Sequence, residues 1–390
     1  MKNGYIWPEI GQSNCILIDQ VIYCFAGNLN LLYTVNTETG AVEIIGGLPD
    51  EEFDSRSLLS ALFRDNNNLL CIPYTAHNIH IMNLETRLWK TIHLNESKHW
   101  GRYYNVCHWR DNYYVFPFAG SDMLCIEKKE AKVISRIDIK EQYRKMTGCD
   151  YKYFSYSGCH IFQNKVYMMM RDAPMIAEYD LLLDKLALYK LEGESSFYVC
   201  LMGHEKEMYV LGDDERIYLW DAVLHTTKNV IQAKFNENEI ERYKHQVKLG
   251  KYIYLFKYIF SDEFIRIDLE KKQADVLSIK ELCSVEEKMI FLAMDEGKFY
   301  FCSYDHVLYR IDLESKEVHI LPLVLDQEKM QEHISIHLKE LDEKIENSKI
   351  EGCCVWTLEN YITRYVKTLN KKQLEQEENC GAIIHKMIGG

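Results

Sequence analysis

A repeat with a period of about 45 residues constrains this chain more than any other feature. Short strands rich in aromatic and β-branched residues begin at seven positions, Val21, Leu69, Tyr113, Val166, Met208, Tyr252 and Phe299. A second marker recurs in phase with them. It is an acidic or amide residue that ends a strand and opens a turn, at Asn36, Asn83, Glu127, Asp180, Asp221, Asp268 and Asp312. Such a period is typical of propeller blades.

Each repeat is predicted to contain four strands. In the second unit the strands are expected at 58–64, 69–73, 79–83 and 88–92, with polar residues at every reversal. We therefore predict an all-β fold, a seven-bladed β-propeller over residues 1–321. Its blade boundaries are expected near 50, 95, 145, 193, 238 and 283. A short α-helical C-terminal extension over 322–390 follows.

The ring must close, and the sequence leaves three ways open. Closure can rest on packing between blades 1 and 7, on residues 5–7, or on residues 353–356. Beyond residue 321 the apolar period becomes helical, with one stripe at Met330, Ile334, Leu338, Leu341 and Ile345 and another within 358–369. These helices are expected either to pack on the propeller or to form a homo-oligomer or partner interface.

Composition excludes several classes of function. The formal charge of −13 and the lack of a basic run argue against nucleic-acid binding. There is no run of 18 apolar residues and no apolar core near the N-terminus, so we expect no membrane span, no secretion and a cytoplasmic location. The 13 cysteines lie mostly within strand runs, which favours unpaired structural thiols. No cofactor is predicted.

The topology of a four-stranded blade brings two sets of connections to one face. Strand a starts where the d-to-a connection ends, and strand b returns to the same side, so the d-to-a and b-to-c connections share a surface that we call the loop face. Binding residues concentrate on such loops. The candidate ligand-binding residues there are Tyr74, His77, Trp100, Arg102, Tyr104, Arg171, Asp172, Lys257, Tyr304 and His306.

Aromatic rings beside arginine, histidine and carboxylates suit a glycan or a protein segment. The alternative is that these rings only border the core, as aromatic residues near strand ends often do. His108 and Trp109, deeper in their strand, are expected in the core.

Signals for catalysis are few, and the catalytic residues are unknown. No nucleophile elbow, zinc-protease, P-loop or dinucleotide motif occurs. The adjacent Asp213 and Asp214 are expected to cap a turn, and no metal site is predicted. We therefore favour a non-catalytic recognition or scaffold protein. The alternative is a metal-assisted lyase, lactonase or hydrolase at the central funnel, using His77, His306 and an aspartate.

The segment IPYTAHNIHIMNLETRLWKTI, echoed by VFPFAGSDMLCIEKK, resembles the repeats of bacterial Kelch-like and YVTN-like propeller proteins. It is similar in particular to members that end in short helices and a tail of the type CGxxIYxYI, which is ENCGAIIHKMI here. Such proteins accompany cell-surface polysaccharide genes in anaerobic Gram-positive bacteria. The resemblance thus implies a propeller with an accessory role near glycan assembly.

Overall fold

A computed structural model describes residues 15–336 and residue 339. Within that span it leaves out residues 27–28, 52–57, 95–102, 119–121, 151–153, 172, 194–197, 215, 233–242, 258–262, 280–288, 296 and 304–305.

Seven antiparallel sheets follow one another along the chain, as predicted. Blade 1 contains β1 (Cys15–Ile18), β2 (Val21–Ala26), β3 (Leu31–Asn36) and β4 (Ala41–Gly46). Blade 2 contains β5 (Leu59–Asp65), β6 (Asn68–Pro73), β7 (Asn78–Asn83) and β8 (Trp89–His93). Blade 3 contains β9 (Tyr103–Trp109), β10 (Asn112–Pro117), β11 (Asp122–Glu127) and β12 (Lys132–Asp138).

A helix, α1 (Ile139–Thr147), separates blades 3 and 4. Blade 4 contains β13 (Phe154–Phe162), β14 (Lys165–Met170), β15 (Met175–Asp180) and β16 (Lys185–Lys190). Blade 5 contains β17 (Tyr198–His204), β18 (Glu207–Gly212), β19 (Arg216–Asp221) and β20 (Thr226–Gln232). Blade 6 contains β21 (Tyr243–Leu249), β22 (Tyr252–Lys257), β23 (Glu263–Asp268) and β24 (Gln273–Ser278). Blade 7 contains β25 (Met289–Asp295), β26 (Lys298–Ser303), β27 (Val307–Asp312) and β28 (Val318–Pro322). All six predicted blade boundaries fall in the connections between these sheets.

The core is divided among the contacts between neighbouring blades. Seven apolar clusters each join one pair of adjacent blades, and the last cluster joins blade 7 to blade 1. Second strands such as β6 and β18 are almost continuously apolar because both of their faces are buried against neighbouring blades. Between blades 6 and 7 the rings of Phe256 and Phe291 stack with centroids 3.9 Å apart.

The ring closes by packing and by one added strand. After β28, the short strand β29 (Val324–Leu325) runs parallel to β4, and the amide of Val324 donates to the carbonyl oxygen of Gly40 at 2.9 Å. Gly40 has a φ of +72°, and a Cβ there would lie 2.3 Å from the carbonyl oxygen of Pro322. A helix over 327–336, α2, then packs on the blade 1–blade 7 cluster. Both segments named as alternatives, 5–7 and 353–356, lie outside the described residues.

Helix α2 contains the first two residues of the predicted apolar stripe. Met330 and Ile334 are buried in the blade 1–blade 7 cluster, which agrees with packing of this helix on the propeller. The stripe positions Leu338, Leu341 and Ile345 lie outside the described residues. Within the part of the chain that the structure describes, no helix has the length and apolar character needed to span a membrane.

The second sequence marker forms the same turn in every blade. At six of the seven positions one side-chain oxygen accepts two backbone N–H groups, from the residues two and three positions later. Examples are Asn36 with Glu38 and Thr39, and Asp268 with Glu270 and Lys271. Glu127 makes the equivalent pair with its two carboxylate oxygens. These turns, with the hairpins between strands a and b, form the side opposite the loop face, which we call the turn face.

Eight cysteines whose side chains the structure describes are free thiols, in agreement with the expectation for those positions. The expectation for His108 was wrong. Its side chain is about half exposed on the turn face and its Nδ1 lies 3.7 Å from Asp65 Oδ1. At the end of β9 only one side of the strand is buried. His108 lies on the side that faces solvent, whereas Trp109 packs against the blade 3–blade 4 cluster.

Candidate functional site on the loop face

Three aromatic rings from two blades meet on the loop face. Phe118, in the β10–β11 connection, is buried with 4% of its surface exposed. The ring of Tyr74, in the β6–β7 connection, lies 6.2 Å from it, and the ring of Tyr104, near the start of β9, lies 5.6 Å from it. Both tyrosines are half-buried. We call this set the aromatic cluster.

The remaining predicted residues are distributed around the ring. His77 lies in the β6–β7 connection and His306 in the β26–β27 connection. Arg171 lies in the β14–β15 connection, where its carbonyl oxygen accepts from the amide of Tyr198 in blade 5 at 3.5 Å. Lys257 is the last residue of β22. The other four candidates, Trp100, Arg102, Asp172 and Tyr304, lie outside the described residues.

A buried carboxylate supports the β6–β7 connection. Glu51, in the β4–β5 connection, has a fully buried side chain. Its Oε2 accepts from the amide of His77 at 2.8 Å, and its Oε1 accepts from both the amide and the side-chain Nδ2 of Asn78, at 2.9 and 3.0 Å. Charge-assisted hydrogen bonds of this kind are among the stronger ones in proteins. Glu51 therefore holds the loop beside Tyr74 in one conformation.

Two histidines extend this network into blade 2. Nε2 of the buried His80 lies 3.1 Å from Glu51 Oε1, and its Nδ1 lies 3.3 Å from the Thr91 hydroxyl. These contacts fit a ring that donates from Nε2 and accepts at Nδ1. Nδ1 of His93 donates to Asn78 Oδ1 at 3.1 Å. The Glu51 carboxylate is thus surrounded by donors, which suits support of a loop better than proton transfer to a substrate.

One member of the carboxylate pair in blade 5, Asp214, also has structural contacts. The hydroxyl of Tyr218, on β19, donates to Asp214 Oδ2, and Arg216 lies 3.6 Å from the same oxygen. These contacts hold the Asp214 side chain within blade 5, and the turn-capping role expected for Asp213 and Asp214 stays a prediction. Among the described residues, no three His, Cys, Asp or Glu side chains gather at metal-binding distance. His77 and His306 therefore do not form such a group with a described carboxylate.

The sequence did not point to Glu51, His80 or Phe118 as a unit. Glu51 lies in the segment GLPDEEF, where an acidic residue would ordinarily be assigned to a solvated turn. Its role depends on the approach of the β4–β5 connection to blade 2, which no local pattern encodes.

Comparisons with known proteins support the fold. No protein-family model matches the chain, and no curated protein sequence matches it. The structure is similar to that of virginiamycin B lyase from Staphylococcus aureus, with a TM-score of 0.58 and 10% identity over 75% of this chain and 92% of that chain. It is also similar to the computationally designed Ika8 protein, with a TM-score of 0.52 and 11% identity over 80% of this chain and 88% of that chain. At these identities the likeness concerns the fold alone.

Proposed function

We propose that this chain is a non-catalytic recognition protein that binds a glycan or a protein segment on its loop face. The observation that carries the proposal is the aromatic cluster, in which two half-buried tyrosines from different blades flank a buried phenylalanine. Aromatic faces offer a large contact area with little conformational entropy to lose, which is why such residues dominate binding hot spots.

Preorganisation of the loop supports the same proposal. The carboxylate of Glu51 accepts hydrogen bonds from the connection that carries Tyr74, so the protein itself supplies contacts that hold this part of the loop face in place. A preordered surface loses less entropy when it binds. The polar candidates His77, Arg171, Lys257 and His306 are proposed to select the ligand around this centre, together with Trp100, Arg102, Asp172 and Tyr304.

The resemblance to Kelch-like and YVTN-like bacterial repeat proteins extends the proposal. It favours a role accessory to cell-surface glycan assembly. We further propose a cytoplasmic location, with the C-terminal helical region available for assembly with partners or copies of itself. These are the finer parts of the proposal, and the aromatic cluster does not depend on them.

A second candidate function is an enzyme acting at the central funnel. The similarity to virginiamycin B lyase favours it, because that protein is named as an enzyme. The two candidates differ in outcome, since a recognition protein returns its ligand unchanged and an enzyme converts it.

The proposal is tested by replacing the two half-buried tyrosine rings of the cluster. The double variant Tyr74→Ala/Tyr104→Ala is screened against a glycan array and an immobilised peptide library beside the parent chain. We expect a loss of at least tenfold in affinity, because buried aromatic anchors contribute about 2 kcal/mol or more each. The variant Trp100→Ala/Arg102→Ala is expected to lose binding as well.

The matched control lies on the turn face. Asn67→Ala/Glu314→Ala alters two exposed side chains there and is expected to bind like the parent. Equal binding by all variants, or a loss confined to the turn-face variant, would show that the loop face is not the working surface. Mass spectrometry of the released ligand separates the two functions, because a chemically changed ligand would establish the enzyme.

A further inference from the structure

A cavity of about 430 Å³ opens on the turn face between blades 5 and 6. Three turns line it: the β17–β18 turn, the β21–β22 turn and the β23–β24 turn. Leu269 contributes a buried apolar side chain, and most of the remaining lining is charged. The volume lies within the range of small-molecule sites, which is roughly 300 to 1,000 Å³.

The seven blades provide an internal comparison for this cavity. The second residue of the hairpin turn between strands a and b is lysine only in the two blades that border it, at Lys206 and Lys251. The equivalent positions in the other five blades are Gln20, Asn67, Asp111, Asn164 and Gly297. The two neighbouring positive charges are therefore specific to these two blades and are not required by the turn.

Each of the three cavity lysines has a carboxylate nearby, but the distances differ. Lys251 Nζ lies 3.1 Å from Glu270 Oε2. Lys272 Nζ lies 2.5 Å from Glu207 Oε2 and 2.8 Å from the Tyr209 hydroxyl. The Nζ of Lys206 lies 4.0 Å from Asp221 Oδ2, which is too far for a hydrogen bond, and half of its side chain is exposed. Lys206 is thus the cavity lysine with the longest ion pair among the described residues and makes no close hydrogen bond to a carboxylate.

A histidine donor lies in the same wall. Lys248 Nζ donates to Nδ1 of His204 at 2.8 Å, so His204 accepts at Nδ1 and carries its proton on Nε2. Among the described residues, no polar group accepts that Nε2–H. Lys248 therefore adds a positive charge directly beside His204, in a chain whose overall charge is −13.

We propose that this cavity binds a small anion that carries phosphate or carboxylate groups. Lys206 supplies an ammonium group and His204 supplies an Nε2–H donor, while Lys248 adds positive charge behind the imidazole. Charge-assisted hydrogen bonds from ammonium and imidazole are the usual means of holding such oxygens. The exposed carboxylate of Glu205, on the same turn, opposes the anion and limits its affinity.

The test uses the full chain and three simple probes: inorganic phosphate, pyrophosphate and citrate. Isothermal titration calorimetry at low ionic strength is expected to show saturable binding of at least one of them, weakening as salt is added. Lys206→Met and His204→Ala are each expected to reduce the affinity about tenfold or more, as the loss of a charge-assisted hydrogen bond does. Glu205→Gln is expected to increase the affinity, because it removes a carboxylate that repels the negatively charged probes.

The control is Lys271→Met, which removes an exposed lysine from the same β23–β24 turn outside the cavity lining. Its affinity is expected to stay within about twofold of the parent. Melting temperatures of all variants separate loss of binding from loss of fold.

The proposal is overturned if none of the probes saturates below roughly 10 mM, a dissociation constant too weak for a built site. It is also overturned if Lys271→Met loses as much affinity as Lys206→Met. Since the cavity and the aromatic cluster lie on opposite faces, either result leaves the loop-face proposal unaffected.

Discussion

Glu51 shows how a single side chain connects the fold to the proposed binding surface. Its carboxylate is fully buried and accepts hydrogen bonds from His77, Asn78 and His80 on blade 2. In return, Asn30 of blade 1 donates to the carbonyl oxygen of Glu51 at 3.3 Å. The residue therefore links blade 1 to the loop that carries Tyr74.

Removing this carboxylate should destabilise the protein strongly. Glu51→Ala leaves several buried donors without an acceptor, and each unsatisfied group costs about 1 to 3 kcal/mol. We expect the free energy of unfolding, measured in urea, to fall by about 3 kcal/mol or more. Glu85→Ala is the matched control, because the Glu85 side chain is exposed and, among the described residues, its one hydrogen bond is from the exposed Asn67. Its effect should stay within about 0.5 kcal/mol. Equal losses for the two variants would contradict the role of Glu51.

A second buried carboxylate, Asp65, makes stability depend on pH. Burial alone would raise the pKa of Asp65, but hydrogen bonds from Lys128 and Tyr113 and the charges of Lys128 and His108 hold it below its ordinary value of 3.8. A carboxylate whose pKa is depressed by folding stabilises the native state above its unfolded pKa, and that contribution is lost as pH falls through the folded pKa. The pKa values of Asp221, Asp268 and Asp312 are also lowered.

We therefore expect the free energy of unfolding to change little from pH 7 to about pH 5 through these groups and to decrease below about pH 4. Urea titrations at a series of pH values measure this. Asp65→Asn should make the acid decrease shallower. Asp19→Asn, which removes an 81% exposed partner of Arg64, should leave it unchanged because surface ion pairs contribute little. An identical acid profile for Asp65→Asn and the parent would refute the assignment.

At the scale of the elements, blades 4 and 5 approach each other closely at a position without a side chain. Between blades 4 and 5, strands β13 and β17 pair in parallel at Ser157 and Cys200. A Cβ on Gly203 would lie 1.8 Å from Cγ of the His160 ring. Burial lowers the pKa of His160, and its Nε2 contacts the carbonyl oxygen of Glu205 at 2.8 Å. Gly203 thus provides the space for a contact between strands β13 and β17.

This approach predicts a coupled pair of variants. Gly203→Ala should lower the free energy of unfolding by about 2 kcal/mol or more, because the added methyl group displaces the imidazole. His160→Ala removes the obstacle. The double variant should therefore be more stable than the sum of the single changes implies, by at least about 1 kcal/mol. Additive effects in this double-mutant cycle would show that the two residues are not in contact.

The same elements show what the sequence could and could not predict. Both repeat markers correspond to interactions that recur in every blade, so the blade count and its boundaries followed from local chemistry. Helix α1 was not predicted, because the repeat predicts only strands and turns up to residue 321 and the helix lies in a connection between two blades. Its signals were nevertheless present: Asp138 caps the N-terminus by accepting from the amide of Glu141 at 2.7 Å, and Gly148 ends the helix with a φ of +74°.

The candidate site was only partly accessible from the sequence. Topology alone placed Tyr74 and Tyr104 on one face. Their shared contact with Phe118 depends on how far blade 3 is rotated relative to blade 2, and that rotation results from packing among many side chains. The burial of Glu51 likewise depends on the path of a connection between blades, which has no counterpart in local sequence.

At the scale of the whole molecule, stability is distributed over seven interfaces instead of one central core. Six interfaces join blades that are consecutive in sequence. The seventh joins the two ends of the chain, where β29 pairs with β4, Arg310 of blade 7 contacts Glu38 of blade 1 at 2.7 Å, and α2 covers the apolar cluster. The loop face is held as a single surface only if this seventh interface is closed.

Closure of the ring by the C-terminal segment is the central claim, and two isoleucines of α2 test it most directly. Ile334 is 6% exposed within the blade 1–blade 7 cluster, whereas Ile336 is 51% exposed on the same helix. The measurement is urea unfolding of Ile334→Asp and Ile336→Asp in the full chain. We predict that Ile334→Asp lowers the free energy of unfolding by about 3 kcal/mol or more and that Ile336→Asp changes it by less than about 0.5 kcal/mol. Equal effects, or a larger loss for Ile336→Asp, would contradict closure of the ring by this helix.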